Sequence, residues 1–314
     1  MKHTILGAGG SIGNALTYEL LKSNETVRLV SRSGYSISGA ESFKADISLY
    51  KETLESVKDS DIVYLCVGLK YDKNTWADLW PKIMQNTIDA CKSVGAKLIF
   101  FDNVYMYGKV AGKMVEDTPY VPCSKKGEIR AKIATMLEYE MKQNNIQAII
   151  ARAADLYGPY ITGNSVPYFM VIDRLMQDKS AQWLIDDKIS HSFTYTLDCA
   201  KGLDLLWRND DCFRQIWHLP TFNPGINGKT FIEIAAKELK VKPDYSVLKK
   251  WMIQLAGLFN KTIHESVEML YQSEFDYQFD STKFNERFNF EPTSYEHGIK
   301  ETIKFLKNRH IHGV

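Results

Sequence analysis

The sequence predicts an α/β fold, a Rossmann-type doubly wound parallel sheet with a smaller, mostly helical C-terminal domain. Three observations predict it. Apolar strand-like runs alternate with amphipathic helical segments through the first half of the chain. A glycine-rich loop joins the first of those strands to the first of those helices. After Gly158-Pro159 the alternation weakens, and turn residues punctuate the chain at Gly163-Asn164 and from Pro220 to Gly228.

Each element follows from its pattern. Thr4-Ile5-Leu6 is a short apolar strand, and Ile12 to Leu21 is a helix with Ile12, Ala15, Leu16 and Leu20 on one face. Val27 to Val30 is the second strand. Asp61 to Val67 is apolar enough to be buried on both faces, as parallel strands are. A helix from about Trp80 to Val94, a strand at Lys97 to Phe101, a helix from Ile129 to Lys142 and a strand at Gln147 to Ala151 complete the alternation. Later helices are predicted at Thr230 to Leu239, Trp251 to Asn260 and Tyr295 to Lys307. These place a dinucleotide-binding domain at 1–160 and a second domain at 161–314.

The bulk numbers set the class. The 314 residues suit roughly two domain-sized units, and 45% hydrophobic with 25% charged residues is an ordinary globular balance. A net charge of +1 leaves no broad footprint for nucleic acid or an acidic membrane. No apolar run approaches the ~20 residues that span a bilayer. Five scattered cysteines with no CxxC pair suggest neither a metal site nor a disulfide framework. The N-terminus runs at once into a strand, with no room for a signal peptide, so a cytoplasmic setting is expected.

The loop reads Gly7-Ala8-Gly9-Gly10-Ser11-Ile12-Gly13, a Gly7-x-x-Gly10-x-x-Gly13 spacing. The first glycine turns the chain off the strand. The middle ones admit backbone close to a pyrophosphate, and the last lets helix and strand pack closely. The helix N-terminus then offers unpaired N–H groups to phosphate. The bland alternative is a tight turn with no ligand. The second strand ends in Ser31-Arg32-Ser33, with an arginine where an NAD site usually carries an acid. A guanidinium pairs well with a 2′-phosphate, so NADP is expected over NAD unless Arg32 is a solvated surface charge.

Together these residues resemble the extended short-chain dehydrogenase/reductases, the NAD-dependent epimerase/dehydratase group. Asp46 falls where the family places an aspartate on the adenine amine, and Val67-Gly68 where the fourth strand passes the nicotinamide side. Asn103-Val104-Tyr105-Met106-Tyr107-Gly108 resembles S-x-x-V-Y-G, and Arg152 to Pro159 resembles R-x-x-x-x-Y-G-P. His191 to Asp198 resembles the segment that returns to the core, so the resemblance implies that about 193–219 rejoins the first domain and that the rest of 161–314 mainly binds substrate. It implies an oxidoreductase acting on a small hydroxy or carbonyl substrate, sugars included, and a homodimer is conceivable by analogy.

The catalytic positions depart from the family. Asn103 stands at the Ser/Thr position, Lys126 at the tyrosine and Arg130 at the lysine. Other Tyr-x-x-x-Lys matches (Tyr18/Lys22, Tyr245/Lys249, Tyr105/Lys109) sit in the wrong places or cannot hold helical spacing. The i, i+4 spacing would point Lys126 and Arg130 at one cleft. Arg130 would then hold the nicotinamide ribose and count among the cofactor ligands. Lys126 would act as a general acid or its reverse, or clamp a substrate anion. Asn103 would orient a carbonyl or hydroxyl. The plain alternative is a solvated helix face. Tyr105, His191 and Tyr195 are the substrate-binding candidates, His191 being either a proton source or a satisfied polar residue. Tyr107 is expected in packing, and Trp76, Trp80 and Trp183 either shape a pocket or fill the core. Loss of the usual Ser-Tyr-Lys set leaves a second reading open, a non-catalytic NADP(H)-binding sensor or regulatory protein.

Overall fold

The computed structural model describes residues 1–161 and 165–312; the Gly163-Asn164 break lies outside them. The chain forms two compact units. The first comprises 1–108, 119–153 and 199–219, the second 109–118, 154–198 and 220–314. The segment 109–118, which the sequence places in the first domain, belongs to the second unit, and the first domain's leading stretch closes at 153.

The first unit is built on seven parallel strands: β1 Lys2–Leu6, β2 Thr26–Ser31, β3 Glu41–Lys44, β4 Ile62–Leu65, β5 Lys97–Asp102, β6 Ala148–Arg152 and β7 Gln215–His218. Their order across the sheet is β7-β6-β5-β4-β1-β2-β3. The chain winds outward from β1 through β2 to β3, then returns to β4 on the other side. The C-terminal ends of β1 and β4 are therefore where successive connections diverge, the place a doubly wound sheet offers a ligand. Every residue of β4 and β6 is buried, which explains their near-continuous apolar sequences.

Helices α1 Ser11–Lys22, α2 Tyr50–Val57, α3 Lys73–Val94 and α4 Lys125–Lys142 cover this sheet. Helix α1 buries Ile12, Ala15, Leu16 and Leu20, the face its periodicity predicts. Helix α3 begins seven residues before the predicted start. Asp72 caps it by accepting from the Thr75 N–H, and Gly95 ends it at φ 74°. Pro81 lies inside α3 and hides this, because proline ordinarily marks a first turn. Trp80, Ile83, Met84 and Ile88 of α3 pack with Ile133, Ala134 and Leu137 of α4 over Leu98, Phe100 and Ile150 of the sheet.

The second unit has its own apolar core of Tyr157, Trp183, Phe193, Tyr195, Phe231, Ile232, Tyr295 and Ile299. Helix α5, Thr196–Trp207, starts in this unit and finishes in the first. Helices α6 Gly228–Leu239, α7 Lys250–Gly257, α8 Lys261–Val267 and α9 Tyr295–His312 are joined by short strand pairs, among them Asp155–Tyr157 with Phe193–Tyr195 and Ala181–Leu184 with Tyr245–Leu248. The unit is thus less purely helical than its sequence suggests.

Candidate active site

The glycine loop leaves β1 at the switch point. The N–H groups of Gly7 and Ala8 both donate to the Val30 carbonyl at 3.1 Å, which ties the loop to β2. Gly7 has φ +102°, and a Cβ there would lie 2.7 Å from the N and Cα of Val67. Only glycine lets β1 and β4 exit this close together. A Cβ on Gly13 would sit 3.1 Å from the Gly7 carbonyl, so helix α1 is drawn tightly onto the loop.

Gly10 is different. It is the N-cap of α1, and a Cβ on it would meet nothing nearer than the Gly7 carbonyl at 3.5 Å. That is ordinary van der Waals contact, so a methyl group would fit there without a clash. No side chain caps the helix start, and its first turn carries no acid. Backbone N–H groups at a helix N-terminus without a side-chain cap, a glycine with no tight neighbour, and no acid in the first turn suit a diphosphate. Gly7, Gly9, Gly10, Ser11, Ile12 and Gly13 therefore fit a dinucleotide. The Tyr35 ring lies against Gly9, where a Cβ would meet it at 3.4 Å.

Around the loop, Ser31 Oγ accepts from the Tyr35 N–H at 2.8 Å, while Arg32 and Ser33 are exposed. Asp46 Oδ1 accepts from the Ser48 N–H at 3.0 Å and the Ser48 hydroxyl at 2.8 Å. These bonds, with the nearby Arg32 charge, hold its carboxyl below the usual range against partial burial. Val67 backs the loop, and Gly68 beside it has nothing within 4 Å of its Cβ position.

The second cluster lies at the end of β5. The Asn103 N–H donates to Asp102 Oδ1 at 2.9 Å, and Asn103 Oδ1 accepts from the Tyr105 N–H at 3.1 Å, starting the turn Tyr105–Tyr107. Helix α4 enters against this turn. A Cβ on Gly127 would be 2.6 Å from the Tyr105 carbonyl, and Ser124 caps the helix through the Gly127 N–H. Lys126 is thereby fully buried, with Nζ 4.6 Å from the centre of the Tyr71 ring.

The expectation that Lys126 and Arg130 share one cleft divides here. Arg130, 4% exposed, turns into the layer between α3, α4 and the sheet. Its Nε donates to Asp102 Oδ1 at 2.8 Å and its Nη2 to the same oxygen. The guanidinium lies 4.4 Å from the Trp80 ring centre and 5.1 Å from that of Phe100. A fork bound and stacked in this way is committed inside the unit. Arg152 meets Asp102 Oδ2 at 3.5 Å, donates to the Tyr107 hydroxyl at 2.7 Å and also to Tyr120, which donates to Glu138. The Tyr107 hydroxyl also bonds His218 Nε2 at 2.8 Å.

Sequence reasoning missed Asp102, Arg152, Tyr120 and His218 as one buried network. One signal was visible: a carboxylate closing the apolar run Lys97 to Phe101. Tyr107 serves packing and this network, as expected. Trp76 and Trp80 are buried in the first unit's core and Trp183 in the second's. Tyr105 is half-buried and stacked on Trp76, 6.3 Å away with planes 12° apart.

In the second unit, His191 Nε2 lies 3.1 Å from Asp155 Oδ2. Its ring stacks on Tyr277 at 4.4 Å. Tyr195 packs on Tyr157 in the apolar core, and burial pushes its hydroxyl well above the usual tyrosine range. Its surroundings make it a packing residue.

A parallel doubly wound sheet with a bare glycine-loop helix start at its switch point defines a dinucleotide-binding protein. The profile of the NAD dependent epimerase/dehydratase family matches residues 3–216, and the chain belongs to that family, a family of enzymes. An uncharacterized UDP-glucose epimerase of Bacillus subtilis (strain 168), YtcB, is 21% identical over 226 residues, 65% of this chain and 71% of that protein. Among solved structures, UDP-glucuronic acid 4-epimerase from Bacillus cereus in complex with NAD is similar at TM-score 0.81 and 20% identity, covering 98% of this chain and 99% of that one. UDP-glucose 4-epimerase of Thermus thermophilus with NAD gives 0.79 at 15% identity, with the same coverage. The dTDP-glucose 4,6-dehydratase of Bacillus anthracis with NAD gives 0.81 at 15%, covering 99% and 98%. These likenesses establish the fold. No helix among the described residues is long and apolar enough to cross a membrane.

Proposed function

We propose that this chain is a nicotinamide-dinucleotide-dependent oxidoreductase acting on a small hydroxy or carbonyl compound, with Lys126 moving the proton. The sugar nucleotides named for the similar structures, UDP-glucuronic acid among them, supply the substrate class to try first. The observation that carries the reading is a fully buried lysine amine, at the family's tyrosine position, in the unit that holds the glycine cradle.

When bound, the nicotinamide would supply a hydride acceptor or donor. The chain's own residues do the rest. The loop from Gly7 to Gly13 holds the diphosphate on backbone N–H groups, and Val67 with Gly68 forms its neighbouring wall. The ammonium of Lys126 donates a proton to a substrate carbonyl oxygen, or its amine takes one from a hydroxyl. Asn103 has its Oδ1 engaged by Tyr105, which leaves Nδ2 to donate to that same oxygen. Arg130 and Asp102 act as positioning residues that fasten α4 to β5. We further propose a preference for NADP(H), supported by Arg32 at the exposed end of β2 and by the absence of a carboxylate in Ser31-Arg32-Ser33.

The commitment of Arg130 to Asp102 favours a second reading, a dinucleotide-binding sensor without turnover. One experiment separates them. The purified protein is incubated with NADP(H) and a panel of nucleotide sugars, aldehydes and ketones. Hydride transfer is expected, and Lys126→Met should lower kcat by at least about 100-fold while cofactor affinity stays within threefold. Tight cofactor binding with no turnover on any substrate supports the sensor.

A further inference from the structure

We propose that Tyr71 is the positioning residue for Lys126, and that its ring face holds the lysine cation in place. The inference rests on the reading above that Lys126 moves the proton. A lysine amine sits on a flexible stem, and a proton is transferred well only from a fixed atom. Lys126 is fully buried, and its Nζ lies 4.6 Å from the centre of the Tyr71 ring. The negative face of an aromatic ring attracts a cation, more strongly where water is excluded. The loop that carries Tyr71 starts from Val67 and Gly68, beside the glycine cradle.

Tyr71 is itself held. It stands between two residues bound to the start of α3. The Lys70 carbonyl accepts from Trp76 Nε1 at 3.0 Å and from the Asp72 N–H at 2.8 Å. Asp72 in turn caps the helix. The Tyr71 ring meets Trp76 edge-on, 5.7 Å away with planes 82° apart. Trp76 also stacks on Tyr105, whose carbonyl is the point that Gly127 brings closest to α4. Tyr71, Trp76 and Tyr105 thus join the ring that faces the amine to the helix that carries the amine. The device recurs one turn along α4, where Arg130 lies 4.4 Å from the Trp80 ring centre. Trp76 and Trp80 stand at i, i+4 on α3, as Lys126 and Arg130 do on α4, so the aromatic and cationic rows match in spacing.

Acetylation reads the amine directly. The full-length protein is treated with N-hydroxysuccinimidyl acetate, and mass spectrometry compares Lys126 with its exposed neighbour Lys125. Tyr71→Leu should raise labelling of Lys126 relative to Lys125 at least about fivefold, and Tyr71→Phe should change it by less than about twofold. Pentafluorophenylalanine at position 71 keeps the shape of the ring and reverses the charge on its face. It should therefore behave as leucine does, whereas a residue that only fills space would let it behave as phenylalanine does. These two aromatic replacements keep the comparison valid even where Tyr71→Leu fails to fold, which melting shows. On a nucleotide sugar that the parent turns over with NADP(H), Tyr71→Leu should lower kcat at least about tenfold with KM within about threefold. Equal labelling in all variants, a pentafluorinated ring that matches phenylalanine, or an unchanged kcat in Tyr71→Leu overturns the proposal. A parent that turns over no substrate instead sinks the proton-moving role of Lys126, and labelling alone then decides whether Tyr71 holds the amine.

Discussion

At the scale of single residues, the site is governed by where each cation finds its partner. Arg130 and Arg152 both reach Asp102, whose side chain is wholly buried. A buried carboxylate held by two guanidiniums is tolerable only because the tyrosine hydroxyls and aromatic faces nearby satisfy the remaining donors. Arg32 is the opposite case, an exposed guanidinium at the end of β2. Arg32→Ala should weaken NADP(H) binding about tenfold or more and change NAD(H) binding by less than about twofold, since a charge-assisted pair to phosphate is at stake. Calorimetric titration with both nucleotides checks this, and equal losses would refute the preference.

At the scale of elements, the loop between β1 and α1 separates two duties that its glycines share. Gly7 is demanded by the fold, through its positive φ and the backbone of Val67 behind it. Gly7→Ala should destabilise by about 2–4 kcal/mol, read by urea denaturation. The fold makes no such demand at Gly10, where a Cβ would meet only ordinary contacts, and the proposed dinucleotide reading assigns it to the ligand. Gly10→Ala should stay within about 1 kcal/mol of the parent stability yet lose at least tenfold in nucleotide affinity. Equal behaviour of the two variants would mean the loop is only a turn. The loop was legible because its strand, glycines and helix are contiguous, and β4 and β6 were legible because burial of every residue makes their sequences almost continuously apolar, while β1, β2 and β5 showed through shorter apolar runs at their centres or ends. The strand β3, Glu41–Lys44, has mostly exposed side chains and no such pattern. The Asp102 network joins residues 28 and 50 positions apart, a relation no local spacing displays. For the same reason, the inward turn of Arg130 was invisible to an i, i+4 argument that knows the helix face and not its tilt.

At the scale of the whole molecule, neither unit is a continuous stretch of chain. Every residue of β6 is buried, with β5 on one side and β7 on the other, and β7 arrives only at Gln215. A fragment ending at residue 160 would lack β7 and His218, the partner of the Tyr107 hydroxyl. It should aggregate or bind a hydrophobic dye, and a monomeric fragment with a cooperative melt would contradict this reading. The same delay has a consequence during synthesis. Ribosomes add ~5–20 residues per second, so the roughly 60 residues between Arg152 and Gln215 take about 3–12 s to appear. For those seconds the nascent sheet carries an open, apolar flank, and a chaperone that shields it would decide how much of the protein reaches its finished form.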